Sequence, residues 1–271
     1  MRDMEIELLL QSIKEKYGYD FTEYKQASLQ RRLSLFLETS GKQHFSELIP
    51  LLLHDNEMFR QLLNTLTINI TEMFRDPAIY RYVCEKIIPV LASFPRINIW
   101  SAGCSTGQEA YSLGILLMEA GLKNRSHIFG TDINERIVNL AREGIYFDTD
   151  FENYSKNYLN SGGTQSLDNY VQFKYGKGII STRVKENISF FNHNLATDGS
   201  FIEAQLIVCS NVLIYFNPNL QKKVWELFYH SLHNFGYLVL GIKEKIPETM
   251  LGKMFQKVSP QLPVYRKIPH G

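Results

Sequence analysis

Three cysteines in 271 residues, Cys84, Cys104 and Cys209, are too few and too far apart for a disulfide framework. None of the seven histidines sits in an HExxH run or pairs with cysteine at zinc-ligand spacing, so the sequence gives no support to metal-dependent chemistry. No apolar run approaches membrane-spanning length, and the opening MRDMEIELLL has acids where a secretory leader carries bases. Membrane insertion is therefore not expected, and the expected compartment is the cytoplasm. Charge of one sign is also missing. Lys and Arg number 29 against 28 Asp and Glu, a net +1 that exerts no global pull on nucleic acid or anionic lipid. There is neither an internal repeat nor a low-complexity tract. What remains is 44% apolar and 21% charged, the composition of a globular chain with enough length for a proper core in one large or two modest domains.

The most informative stretch is Ile97–Ala120, INIWSAGCSTGQEAYSLGILLMEA. Ile97, Ile99 and Trp100 suit a buried strand. The run breaks at Gly103 and Gly107 and resumes at helical spacing through Ala110, Leu113, Gly114 and Leu117. A strand, a glycine-rich turn and a helix make the first unit of an open α/β sheet, which binds ligands at the carboxyl ends of its strands. The turn is not a phosphate-cradling P-loop, because Gln108-Glu109 stands where Lys-Ser or Lys-Thr would follow the last glycine. Gly103-x-x-x-Gly107 also lacks the middle glycine of a dinucleotide fingerprint. A ligand with a cationic amino group and no phosphate would welcome Glu109, and S-adenosylmethionine is such a ligand.

A second acid points the same way. His127–Thr131 reads as the next strand, with Asp132 just beyond it and Asn134 capping the helix that follows. A carboxylate there can accept from both ribose hydroxyls of a nucleoside, in NAD as in S-adenosylmethionine. The bland alternative makes Asp132 only part of the helix cap.

Elsewhere, residues up to about Leu66 read as four amphipathic helices, with apolar faces such as Ile6, Leu9, Leu10 and Ile13, and Gly18 and Gly41 as stops. The second helix carries Lys25, Arg31 and Arg32 off its apolar stripe. Thr67–Pro77 is too polar and aromatic for a plain linker, and Ala78–Phe94 continues as a helix that Pro89 should bend or close. Residues of about 146–187 break the βαβ rhythm and read as a small antiparallel insertion. Strands follow at Ile188–Phe191, Gln205–Cys209 and Gly236–Gly241. Asn217 and Pro218 start a helix whose apolar face is Val224, Phe228 and Leu232.

SAGCSTGQEAYS, GTDIN, NITEMFRDP, HNL and CSNVLIYF together resemble the CheR family of chemotaxis receptor methyltransferases, along nearly the whole chain. The resemblance implies an α/β fold: an S-adenosylmethionine-dependent methyltransferase (Rossmann-like) sheet, an N-terminal all-helical domain and a small inserted antiparallel β-subdomain. The expected limits are 1–66 for the helical domain, 67–94 for a segment contributing to the active site, and 95–271 for the methyltransferase domain. The implied activity is O-methylation of glutamates on chemoreceptor signalling helices, with S-adenosyl-L-homocysteine as by-product. Arg75 and Tyr215 are implied as catalytic residues. Asn69, Thr71, Arg75, Gly103, Glu109, Asp132, Asn194, Leu195, Ser210 and Asn211 are implied for the cofactor, and Lys25, Arg31 and Arg32 for docking an acidic receptor helix.

Several positions depart from the family pattern. Ser210 stands in place of a usual arginine, Gly241-Ile-Lys-Glu244 in place of Gly-His-Ser-Glu, and Glu72-Met73 in place of a small residue and Phe. Gln108 and Ala110 replace an acid and a proline. The segment after the fourth core strand is not the Asn/Asp-Pro-Pro-Tyr of enzymes that methylate exocyclic base amines. Other readings of the residues are a cofactor-binding sensor or scaffold, a methyltransferase with another protein acceptor, and a NAD-dependent oxidoreductase, which the glycine spacing disfavours.

Overall fold

A computed structural model of the chain describes residues 2–67 and 69–269. Met1, Ile68, His270 and Gly271 lie outside the described residues. The chain divides into two compact units. One comprises Met1–Ile68 with Asn194–Gly199 and Leu213–Val224; the other comprises Asn69–His193, Ser200–Val212 and Trp225–Gly271.

The smaller unit holds the expected helices, α1 (Arg2–Tyr17), α2 (Gln26–Thr39), α3 (Leu48–His54) and α4 (Asn56–Leu66). Leu9, Ile13, Leu33, Leu48 and Leu62 from all four are fully buried, which is how four amphipathic stripes close one core. The Gly18 N–H returns to the Lys14 carbonyl at 2.9 Å and ends α1. The Asp55 carboxylate accepts from the N–H groups of Glu57 and Met58 and starts α4. The third helix differs from expectation at its entry, where Phe45–Glu47 forms a 3₁₀ turn.

The larger unit opens with α5 (Pro77–Tyr82), a π turn over Val83–Ile87, and α6 (Ile88–Leu91). The single helix expected over 78–94 is thus interrupted. Pro89 has no N–H to offer the carbonyl four residues back, and the preceding turn widens so that the Ile88 N–H bonds Val83 O instead. There follow β1 (Ile97–Ala102), α7 (Gln108–Glu119), β2 (Ser126–Asp132) and α8 (Glu135–Glu143). The insertion contains β3 (Ile145–Phe147), α9 (Phe151–Asn160), β4 (Val171–Lys174), β5 (Lys177–Ile180) and α10 (Thr182–Lys185). The chain then returns through β6 (Ile188–Asn192), β7 (Ala204–Cys209), α11 (Pro218–Ser231), β8 (Leu232–Leu240), β9 (Phe255–Lys257) and β10 (Val264–Lys267).

Seven strands form the main sheet in the order β6-β2-β1-β7-β8-β10-β9. The first five are parallel, and β10 and β9 close the far edge antiparallel. The chain runs outward from β1 to β2 and β6, then turns back to β7 on the other side, so β1 and β7 flank the topological switch point where open sheets bind ligands. The insertion carries its own antiparallel sheet, β3-β5-β4, as expected. The helices within it were not expected, α9 among them. Leu232 is a second difference: rather than ending the apolar face of α11 it begins β8, fully buried. At the centre Trp100 is completely buried, donates from Nε1 to Thr131 Oγ1 at 2.8 Å and meets Phe228 edge-on.

Candidate active site

The turn after β1 is built around backbone that ordinary residues avoid. The N–H groups of Gly103 and Cys104 both donate to Thr131 O at 2.8 Å, which folds the turn back over the end of β2. Gly103 has φ +74°, and a Cβ there would lie 2.3 Å from Val212 Cγ2, so both conformation and space demand glycine. Ser105 follows at φ +50°. Its N–H donates to Asp132 Oδ2 at 3.0 Å, and its buried hydroxyl has no hydrogen-bond partner among the described residues.

Asp132 is itself buried and also accepts from the Asn134 N–H at 3.1 Å through Oδ1. Asn134 in turn caps α8 by accepting from the Arg136 N–H. The carboxylate therefore joins the glycine turn to the start of α8, a role the helix-cap alternative covers only in part. Burial raises its pKa, while the N–H donors of Asn134, Ser105 and Ile133 pull the other way. The Ser105 and Asn134 N–H groups are shared between its two oxygens, Oδ2 and Oδ1, and a carboxylate so placed can still accept from a ligand hydroxyl.

Glu109, in the first turn of α7, is the second buried acid. It accepts from Ser101 Oγ at 2.7 Å and is hydrogen-bonded by the Ser210 side chain. Burial pushes its carboxyl up to about 7, and the charge of Glu244 adds to this, whereas Ser101, Ser210 and the charge of Arg75 oppose it. A buried carboxylate in that state gains most from a cationic ligand group.

The segment that carries Asn69, Thr71 and Arg75 is strained where it matters. Phe74 (φ 53°) and Asp76 (φ 60°) flank Arg75 in left-handed conformations, each costing about 1–3 kcal/mol. The fully buried Phe74 offsets this, and its N–H donates to Ser112 Oγ at 2.9 Å on α7. Met73 is likewise fully buried, and Glu72 accepts from Asn153 Nδ2 on α9. Arg75 is half-buried, donates to Ile70 O at 3.2 Å, and acts electrostatically on Glu109. Of the six non-glycine residues with positive φ among those described, Phe74, Asp76, Ser105 and Asn211 all lie on segments bearing the expected site residues.

The larger unit thus brings Arg75, Gly103, Glu109, Asp132, Ser210 and Asn211 onto the switch-point end of its sheet. Glu244, which sequence reasoning treated only as part of a departing motif, accepts from the N–H groups of Asn211 at 2.7 Å and Gly241 at 2.9 Å.

Tyr215, Asn194 and Leu195 belong to the smaller unit. Asn194 is buried in a tight turn, donating its N–H to Asp198 Oδ2 and accepting from the Ala196 N–H. Tyr215 ends a short 3₁₀ turn, and its carbonyl accepts from the Lys25 N–H at 2.8 Å. A small open pocket beside it is lined by Tyr24, Lys25, Ser28, Leu29, Arg32, Leu66 and Tyr215. Lys25 and Arg31 are exposed, as a docking face requires. Arg32, which lines the pocket with Lys25, is half-buried. Its guanidinium donates to Leu66 O at 2.7 Å and lies 5.5 Å from the centre of the Tyr215 ring, and burial lowers its pKa.

The residues around the turn of the larger unit fit S-adenosylmethionine. The turn has no room for a side chain at Gly103, two buried carboxylates, Asp132 and Glu109, lie beside it, and buried polar atoms at Ser105 Oγ and Asn211 Nδ2 lack partners among the described residues. Comparison with known families agrees. Residues 69–261 match the model described as "CheR methyltransferase, SAM binding domain", and residues 4–67 match "CheR methyltransferase, all-alpha domain". The chain belongs to the CheR methyltransferase family. It is an S-adenosylmethionine-dependent methyltransferase of that chemotaxis family. Among CheR relatives it is 42% identical over 265 residues to a Pseudomonas putida protein named "Putative methyltransferase Cher3", covering 98% of this chain and 97% of that one. It is 30% identical to a Listeria innocua "Chemotaxis protein methyltransferase", over 86% of this chain and 87% of the other. A Campylobacter jejuni protein of the same name is 29% identical, over 98% and 97%. No helix among the described residues is long and apolar enough to cross a membrane.

Proposed function

We propose that this CheR protein methylates glutamate side chains on the cytoplasmic helices of chemotaxis receptors, and that it works in the cytoplasm. The observation that carries the reading is Arg75. Its backbone is set between two left-handed residues, and its guanidinium lies in the electrostatic field of Glu109, with its planar fork suited to a carboxylate. Bound S-adenosylmethionine supplies an electrophilic methyl group. The chain's part is alignment and charge management, because transfer to an acceptor is an in-line displacement. An acceptor glutamate, with an ordinary pKa near 4.3, is already ionised at neutral pH and needs no base.

In this reading Glu109 faces the amino group of the methionine moiety and Asp132 the ribose, with Gly103 allowing close approach. Asn69, Thr71, Asn194, Leu195, Ser210 and Asn211 complete the cofactor contacts, and Arg75 and Tyr215 act on the reacting groups. Residues 1–66 are taken as the receptor-facing domain, 67–94 as a segment contributing to the active site and 95–271 as the transfer domain, with the insertion at about 146–187. Lys25 and Arg31 supply exposed cationic charge for an acidic helix.

The test is incubation with methyl-labelled cofactor and receptor-bearing membranes, followed by mild base. Release of label as methanol is expected, since a carboxyl ester hydrolyses and an N-methyl group does not. Base-stable label would sink the glutamate assignment, and cofactor binding with no transfer would make the protein a sensor or scaffold.

A further inference from the structure

The register of β7 with β8 pairs Cys209 with Leu240, so the two chains leave the sheet side by side as Ser210-Asn211 and Gly241-Ile242. Between them sits Glu244, buried to 6% exposure. A tight turn brings it there: its N–H donates to Gly241 O at 2.8 Å, which sends the side chain back toward the strand end. One oxygen, Oε2, then accepts two backbone N–H groups, from Asn211 at 2.7 Å and Gly241 at 2.9 Å. The fit leaves no slack. A Cβ on Gly241 would lie 2.8 Å from that oxygen and 3.0 Å from both Asn211 N and Asn211 Nδ2.

Asn211 is held in a left-handed conformation, φ 63°, which a non-glycine residue adopts only where surroundings enforce it. Its Nδ2 is buried and has no hydrogen-bond partner among the described residues, so a donor is left over. On the other side of the same dipeptide, the Ser210 side chain is hydrogen-bonded to Glu109. Ser210 and Asn211 are therefore gripped from two directions, one by each buried acid.

We propose that Glu244 is a positioning residue for the cofactor site: its carboxylate locks Asn211 left-handed and so fixes that side-chain amide for the ligand. This rests on the reading that Ser210 and Asn211 border S-adenosylmethionine. Glu244 has a second, electrical consequence. Its charge opposes ionisation of Glu109, so the site demands a cationic ligand more strongly than Glu109 alone would. The other titratable or charged groups facing Glu109 are Arg75, Tyr80, Cys104 and Cys209, and burial holds the last three well above their usual pKa.

The experiment compares the full chain with Glu244→Gln, Glu244→Ala and Asn211→Ala, titrating S-adenosyl-L-homocysteine from pH 6 to 9. Asn211→Ala should weaken binding by about tenfold, the equivalent of one net hydrogen bond. Glu244→Ala should do the same by releasing the turn. Glu244→Gln keeps an acceptor oxygen for both N–H groups, so affinity at pH 8 should stay within about threefold. It also removes a charge, so the pH midpoint of binding should move below that of the unmodified chain, a readout of the electrical effect apart from the positioning one. Normal binding by Glu244→Ala overturns the proposal, as does a Glu244→Gln variant that binds as weakly as Glu244→Ala although it keeps the acceptor oxygen. If Glu244→Ala fails to fold, Glu244→Asp decides: it keeps the charge but draws the carboxylate back from the Asn211 and Gly241 N–H groups, so weakened binding supports the proposal and normal binding overturns it. Unchanged binding by Asn211→Ala would instead overturn the placement of the cofactor beside Asn211.

Discussion

Replacing Glu109 by Gln should move stability and affinity in opposite directions. Burial lifts the folded carboxyl from 4.5 to about 7. At 1.36 kcal/mol per pH unit, its ionisation in the empty site costs about 3 kcal/mol. The folded chain holds this proton more tightly than the unfolded chain does. Between roughly pH 4.5 and 7 the folded state therefore binds more protons, and stability falls as pH rises through that window. Above pH 7 the whole cost is present. Glutamine, able to keep hydrogen bonds with Ser101 and Ser210, carries no such cost. The variant should match the unmodified chain near pH 4.5 and melt later by about 6–12 °C at pH 8, taking about 2–4 °C per kcal/mol for a chain of this size. Its affinity for S-adenosylmethionine should drop by about 10- to 100-fold at pH 8, the value of a hydrogen bond to a charged group. Scanning calorimetry across a pH series and ligand titration at pH 8 measure the two effects. A variant that melts alongside the unmodified chain at pH 8, or that binds the cofactor as tightly, refutes the reasoning.

Asp132→Ala removes the acceptor of the Ser105 and Asn134 N–H groups as well as the ribose partner, so titration should show an affinity loss of about 1–3 kcal/mol together with a lower melting temperature. Gly103→Ala puts a methyl group 2.3 Å from Val212 Cγ2 at φ +74°; cofactor binding should fall, and adding Val212→Ala should recover part of the loss by removing the clash but not the strain. Arg75→Ala gives up a 3.2 Å hydrogen bond to Ile70 O, so stability should change by no more than about 1 kcal/mol while methyl transfer collapses. Arg31→Glu should raise the KM for receptor and flatten its salt dependence without changing cofactor affinity, because exposed charges act over about 8 Å at physiological ionic strength.

The parts legible in the sequence are those where a local signal and the global fold coincide. Gly103 and Gly107 mark the turn, Asp132 ends its strand, and Asn134 and Asn217 cap their helices as their positions suggest. The misreadings have identifiable causes. The helix α9 does carry a stripe, Phe151, Tyr154 and Tyr158, all buried, but its aromatic and Asn-rich sequence sits inside a segment dominated by the β hairpin that follows. Strands β9 and β10 run only three and four residues, too short for alternation to show. Glu244 lies 33 residues from Asn211 and reaches it only because parallel strands end side by side, which no local pattern reveals. Arg32 looks like its neighbour Arg31 in sequence. The helical turn directs it instead to the carbonyl of Leu66 at the end of α4.

The central claim is that the two buried acids divide the cofactor between them, and a crystal structure of the chain with S-adenosyl-L-homocysteine measures this directly. The account predicts the ribose hydroxyls on the Asp132 carboxylate, the amino group on Glu109 and the Gly103 backbone against the ligand. A product molecule seated elsewhere, or one that leaves Glu109 and Asp132 without contact to it, would contradict it.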